Sequence, residues 1–294
     1  MTAVDHVMLT GNYRYLRVSM TERPRSILVA PCPYDDESPA SWIQRVCQMH
    51  GITYQRLAES LGIVARHDPD ITLPPEHICH IGAGTSVSGV RLRALSNTFH
   101  AVRALPRARN LLNFDPLGAP TYRICRYCLA NDPVPYLRIA WRFKDWKFCP
   151  FHHERLMDRC DKCNAYIKST RPSLGKSPSG KHLNVSDCAA CGQPHIKPAG
   201  VHGPPHVMFD GQELAAQDAL VATVLNGYFR IEGFNRRLDL GFFLWLRENY
   251  EWHGGRIASC GTCENPRLVS SIVRRLQSLY EHASGAMPII GIVQ

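Results

Sequence analysis

Eight metal-binding side chains set in four pairs constrain this chain more than any other feature. Cys125-x-x-Cys128 is followed by Cys149-x-x-His152, and Cys160-x-x-Cys163 by Cys188-x-x-Cys191. A two-residue gap lets one tight turn aim two side chains at a common point, and two such turns complete a tetrahedron. Zinc favours that shell of thiolate and imidazole, and four protein ligands leave no position for a reactive water. Two structural Zn²⁺ ions are therefore expected, with the chain from Cys125 to Cys191 folding around them. Disulfides or redox dithiols are the alternative, but four half-sites in correct alternation speak against it.

At 294 residues the chain can bury a full core and has room for about two domains. Apolar residues make up 45% and charged residues 20%, the composition of a folded globular protein. No apolar run reaches the ~20 residues that cross a bilayer, since the run 241–246 is cut off by Arg247 and Glu248. No membrane association is expected. The N-terminus lacks the basic-then-apolar pattern of a secretion signal, so a reducing cytoplasm is expected, which again favours metal over disulfide. The formal charge of +9 falls to about +6 once seven thiolates and two dications are included. A basic balance suits a phosphate backbone without requiring one.

Residues 1–30 show no clear periodicity and read as an N-terminal extension, disordered at least in part. Residues 31–120 read as a helical region. Ser38 is a good N-cap, Pro39 suits the first turn, and Gly51 stops the helix, with Trp42, Ile43, Val46 and Met49 at helical spacing. Thr53 caps a second helix whose Tyr54, Leu57, Ala58 and Leu61 share a face before Gly62. Two short helices with a tight joint begin a helix-turn-helix, or equally an ordinary αα-hairpin. Residues 68–75 read as a loop, and 88–104 as one further helix with Leu92, Leu95, Phe99 and Val102 inward. Arg91, Arg93, Arg103, Arg107 and Arg109 decorate this stretch, which has no acidic residue between Ser86 and Asn113. They are candidates for phosphate contacts, although they do not fall on one stripe and would serve as well as a solvated basic face.

Residues 121–195 are the tandem metal region. Tyr136, Trp141, Phe143, Trp146 and Phe148 lie between the halves of the first set, where small metal modules lack apolar bulk, so core packing is the favoured role. Arg138 and Arg142 interleave with these rings in a pattern that could also stack on bases. Within the second set, residues 169–181 are polar and form a loop tip. A linker, 195–205, leads to a C-terminal helical domain, 206–294, with helices over 212–229 (Leu214, Val221 and Leu225 on a face), 240–250 and 266–282.

Weaker groups have simpler readings. Cys260-x-x-Cys263 lacks a fourth pair, with only His253 and His282 near. His153 could compete with His152 but breaks the regular gap. Cys47 reads as a small core residue, and His77, Cys79 and His80 as no site. The sequence holds no Gly-rich phosphate loop, no His-Glu-x-x-His and no Gly-x-Ser-x-Gly elbow. Asp35, Asp36 and Glu37 form the one dense acidic run. They could hold Mg²⁺ in a nuclease, yet negative charge before a helix is favoured anyway.

Pro31-Cys-Pro-Tyr-Asp-Asp-Glu-Ser38 with Ser41-Trp42 resembles the P-x-P-x-x-D-E-S-x-x-S-W opening of TniQ/TnsD-type transposition proteins. The block Cys125-Arg-Tyr-Cys128-Leu-Ala, Pro135-Tyr136, Trp141-Arg142, Cys149-Pro-x-His152 and Leu156 before Cys160-x-x-Cys163 is similar to the same family. The resemblance spans about 31–192 and departs from it at Pro39, where the family has an apolar residue. It also leaves open whether residues 1–30 belong to the native protein. It implies a mainly α protein with small β elements in two zinc ribbons, flanked by an N-terminal helix-turn-helix-like region and a C-terminal helical domain. It further implies a non-catalytic adaptor in the bacterial cytoplasm, at the nucleoid when DNA-bound. Such an adaptor marks a target by contacting DNA or a CRISPR RNA-guided complex, in some members as a homodimer. It then recruits an AAA+ ATPase and, through it, the transposase. A zinc-containing sequence-specific transcription regulator is the alternative, and a metal-dependent nuclease a third.

Overall fold

Helix α1 (Pro39–Met49) begins where its chemistry requires: Ser38 accepts a hydrogen bond from the Ser41 N–H, and Pro39 fills a position that needs no donor. The structure is a computed structural model describing residues 29–83, 85–168, 184–196, 211–231 and 234–249. Gly51 at φ +60° turns the chain out of α1, and Thr53 caps α2 (Tyr54–Ser60). Trp42, Ile43, Val46, Tyr54, Leu57, Ala58 and Leu61 are all buried, and so is Cys47. Met49 departs from the expected stripe and is 52% exposed, because it lies in the last turn beyond the packed face.

The expected loop over 68–75 contains helix α3 (Pro69–Thr72), and α4 (Pro75–Gly82) follows it. A proline at the first position of each starts the turn, and Asp68 and Asp70 are drawn into the interior rather than left in water. The single helix expected over 88–104 is broken into α5 (Gly89–Asn97) and α6 (His100–Ala104). Its inward residues are correct, since Leu92, Leu95, Phe99 and Val102 are buried. The break is stabilised by Arg103, whose guanidinium donates to the Ser96 carbonyl at 2.6 Å and so satisfies an acceptor the shortened helix leaves open. A 3-10 turn (Pro106–Leu111) leads on to α7 (Arg126–Asn131) and a second 3-10 turn (Ile139–Arg142).

Helix α8 (Gly211–Asn226) ends earlier than expected, at Gly227 with φ +75°. Phe229 then belongs to an antiparallel hairpin, β1 (Tyr228–Ile231) with β2 (Phe234–Asp239), in the register Tyr228↔Asp239, Phe229↔Leu238 and Ile231↔Phe234. Leu225 is on the exposed side; Leu220, Val221 and Val224 face in. Asp239 accepts from the Phe242 N–H and starts α9 (Leu240–Asn249), close to the expected span. The helix read over 266–282, the Cys260/Cys263 pair with His253 and His282, the tip 169–181 and residues 1–28 lie outside the described residues.

Two apolar cores result. One joins α1, α2, α4 and α5 through residues such as Trp42, Leu57, Ile78, Ile81 and Leu95. The other runs from Phe99 and Val102 through Trp141, Phe143 and Trp146 to the α8–α9 hairpin, and takes in Cys125, Cys128 and Cys149. Between α4 and α5 the Leu92 side chain packs directly on Gly82, where an added Cβ would lie 2.3 Å from Leu92 Cδ1. Gly82→Ala should therefore destabilise by about 1–3 kcal/mol through overpacking. Urea unfolding at constant zinc tests this, and a loss under ~0.5 kcal/mol would mean that Leu92 simply moves aside.

Candidate metal centres

Three of the four ligand pairs are built alike. In each, the N–H of the first cysteine donates to the carbonyl five residues on, and the N–H of the residue after the second ligand returns to the first cysteine's carbonyl. Cys149 pairs with Glu154 (2.9 Å) and His153 with Cys149 (2.9 Å); Cys160 with Ala165 (2.9 Å) and Asn164 with Cys160 (2.9 Å); Cys188 with Gln193 (2.7 Å) and Gly192 with Cys188 (2.8 Å). Closing so tight a knuckle puts that following residue in the left-handed region, at φ +50° for His153, +56° for Asn164 and +72° for Gly192. The fourth pair is different: Cys125 is the N-cap of α7, its Sγ accepting from the Cys128 N–H at 3.5 Å.

In the first cluster Cys125 Sγ and Cys128 Sγ lie 3.5 and 3.3 Å from His152 Nδ1, and Cys149 Sγ lies 3.6 Å from both Cys128 Sγ and Nδ1. In the second, Cys160 Sγ–Cys191 Sγ is 3.8 Å and Cys163 Sγ–Cys188 Sγ is 3.5 Å. All four ligand atoms of each set lie within 4.8 Å of one another. Zinc–sulfur bonds of about 2.3 Å give a tetrahedron with edges near 3.8 Å, a little shorter to nitrogen. Both donor sets thus match one four-coordinate ion in size and chemistry. The first cluster is the deeper, with its three cysteines buried; in the second, Cys163 is exposed.

Side chains the sequence did not single out hold the first centre. The Asn131 amide stands 3.3 Å from His152 Nε2, and the Tyr127 ring stacks on the imidazole with 5.6 Å between centroids. The facing atom is the Asn131 amide nitrogen; with Nδ1 turned to the cluster Nε2 carries a proton, and turning the amide over brings its oxygen round to accept it. Gln217 of α8 accepts from the Lys147 and Phe148 N–H groups and donates to the Phe148 carbonyl, fixing the strand that enters Cys149. Only one hint was available beforehand: Asn131 and Tyr127 sit on the short helix that starts at Cys125. Gln217 is a contact across some seventy residues, and spacing gives no sign of it. Between the ribbons, Arg126 reaches Asp161 at 3.0 Å.

His153 is exposed, and its place in the knuckle is set by its backbone. His153→Gly should therefore keep the full metal content, whereas His153→Val should lower stability by about 1–3 kcal/mol, since a β-branched residue is strained at positive φ. Metal analysis with thermal unfolding of the two variants checks this; metal loss in the glycine variant would make His153 a ligand after all.

The arginines read as nucleic-acid contacts divide sharply. Arg142 is fully buried: it pairs with Asp68 (2.7 Å) and Asp70 (3.1 Å) and donates to the carbonyls of Asn113 and Thr121. A side chain with no exposed surface cannot also reach a phosphate. Arg138 is 13% exposed, grips Asp132 with two bonds of 2.9 and 2.8 Å, and lies between the Tyr136 and Trp141 rings. Arg103 is held by Ser96 and by the Asp70 carbonyl. Arg91, Arg93, Arg107 and Arg109 are exposed, Arg91 beside Asp35 at 3.2 Å and Arg109 over the Phe114 ring.

The acidic run is distributed in the same manner. Asp35 meets Arg91, and Asp36 meets Arg138 and the Tyr136 hydroxyl. Glu37 is buried against Arg45 at 2.5 Å, and burial pushes its carboxyl up to about 7. Ion pairing, rather than helix-end charge, accounts for all three, and it leaves no shared cradle for Mg²⁺. The rest of the opening motif is similarly engaged: Trp42 Nε1 donates to the Pro31 carbonyl, Ser38 Oγ bonds to the Tyr122 hydroxyl, and Ser41 Oγ accepts from the Leu137 N–H while donating to Glu37. These residues fasten α1 to the chain around the first centre. Residues 28–156 match the TniQ family model. No curated protein matches the chain.

Proposed function

We propose that this chain, which belongs to the TniQ family through residues 28–156, is a non-catalytic adaptor in transposition that marks a target site and recruits an AAA+ ATPase and its transposase. The TniQ domain ties the protein to transposition. The observation that carries the adaptor role is the pairing of two closed four-ligand clusters with an opening motif spent wholly on internal bonds. Such clusters act as staples, and two Zn²⁺ ions are the cofactors that suit them.

Target recognition through DNA falls to the exposed cations Arg91, Arg93, Arg107 and Arg109 on and after α5. An RNA-guided complex is the other route to the target, and a homodimer would double either surface. No helix among the described residues is long and apolar enough to cross a membrane, which suits a partner set of DNA and proteins. The decisive experiment mixes the purified zinc-loaded chain with an AAA+ ATPase of a transposition system, with and without duplex DNA, and follows complex formation by size-exclusion chromatography. A stable ATPase complex, weakened on DNA by charge reversal at Arg91 and Arg93, is the expected result. Tight binding to one short DNA sequence with no ATPase association would replace the adaptor with a transcription regulator. Mg²⁺-dependent DNA cleavage would make it a nuclease.

A further inference from the structure

A cleft of about 790 Å³ lies between α2 and the second metal ribbon, and none of the eight ligands lines it. Its volume is in the range of about 300–1,000 Å³ typical of built binding sites. Part of the lining is apolar: Ala58 and Ile63 on the helical side, Pro120 at the turn, and Ala165 and Ala189 on the ribbon. Such a surface takes apolar side chains, and Gln55 and His67 add polar positions among them.

The charges around it are unequal. Lys168 is matched by Asp115 at 2.6 Å, and Glu59 stands 3.6 Å from Arg56. Arg66 lines the cleft, is exposed and has no carboxylate partner among the described residues, whereas Arg159 is held against the lining ring of Tyr166 by bonds to the Tyr166 hydroxyl and the Asn164 carbonyl. The surplus is positive, so an occupant should bring carboxylate or phosphate.

The two tyrosines decide between them. Base stacking needs an open aromatic face. Tyr54 is 5% exposed with its hydroxyl accepting from the Arg66 N–H, and one face of Tyr166 is covered by Arg159. An apolar trough beside the unmatched Arg66 guanidinium, with one tyrosine buried and the other stacked under Arg159, fits an extended peptide. We propose that this cleft is a docking site for a peptide segment of a partner protein, one that sets apolar side chains next to Asp or Glu. The proposal does not depend on a role in transposition.

Panning a phage-displayed random peptide library on the full zinc-loaded chain tests it. The selected sequences should place Leu, Ile or Phe beside Asp or Glu. Fluorescence anisotropy of labelled synthetic copies should then show affinity falling roughly tenfold with Ala65→Trp, which fills the cleft, and severalfold with Arg66→Glu. Both positions are exposed, so zinc content and melting temperature should stay at wild-type values. Peptides without that composition, or equal binding to both variants, would overturn the proposal. So would a labelled oligothymidine that displaces the peptide and is weakened by the same substitutions, since the cleft would then serve nucleic acid. Peptide binding that appears only after residues 169–183 are replaced by a short Gly-Ser link would assign the cleft to the chain's own segment.

Discussion

Cys128→Ser will release one of two bound metal ions and unfold the centre of the protein. Its sulfur contacts two of the other three ligands of the first cluster, at 3.3 and 3.6 Å. A serine hydroxyl is a poor substitute for thiolate at zinc, and structural zinc contributes roughly 10–16 kcal/mol to the folding of small metal modules. The loss cannot stay local. Cys125, Cys128 and Cys149 belong to the same apolar core as Trp141, Phe143 and Val224, so disordering the knuckle removes a wall of that core. Metal analysis should fall from two equivalents to one, and near-ultraviolet circular dichroism should lose most of its aromatic signal. Cys163→Ser should also release one ion, but with a smaller spectral change, because Cys163 is exposed and its cluster lies outside that core. Two equivalents retained in Cys128→Ser would sink the ligand assignment.

Arg142→Met should destabilise the protein by about 3–5 kcal/mol, the usual consequence of removing one partner from a buried ion pair. Methionine fills much of the volume, so the effect is electrostatic. Asp68 and Asp70 lose their shared cation, and the Asn113 and Thr121 carbonyls lose a donor. Asp70 keeps the Ala40 N–H at 2.8 Å and the Tyr122 hydroxyl, so the damage centres on Asp68. Burial already pushes Asp68 up to about 6, against the pull of Arg142. Without the guanidinium its folded pKa climbs further while the unfolded value stays about 3.9. An acid with a raised folded pKa holds its proton longer in the folded state, so its stability contribution is full below the unfolded pKa and is lost as pH rises through the folded one. The deficit of the variant should therefore be larger at pH 8 than at pH 6, and adding Asp68→Asn should recover part of it. Urea titrations of the single and double variants at both pH values give the answer; a loss under ~1 kcal/mol with no pH trend would rule out the buried pair as a structural centre.

The starts of α1, α2 and α5 and the ligand sets were readable from sequence because each depends on neighbours a few residues apart. Ser38, Thr53 and Ser88 cap their helices through bonds to the residue three further on, and each ligand pair needs only one turn. Where longer contacts intervene, the same reasoning fails. Residues 88–104 keep helical periodicity throughout, yet Arg103 breaks the run by bonding back to Ser96 and across to Asp70. The span 212–229 looks helical up to Phe229, yet Gly227 ends the helix and the Phe229 ring is taken into a hairpin against Phe242 and Phe243.

Sequence by itself determined which eight side chains gather, how they pair, and that Tyr136, Trp141, Phe143 and Trp146 become core, while Phe148 of the same set stays half-buried. Only the tertiary structure decided the fate of the charges. Arg142 and Arg91 are the same residue type, each in a stretch with basic or aromatic neighbours, but one is sealed in with two aspartates and the other faces solvent. The reason is range. Ligand spacing and helix caps are set by a few consecutive bonds, whereas the partner of a buried ion lies some seventy residues away and is chosen when the two cores close upon it.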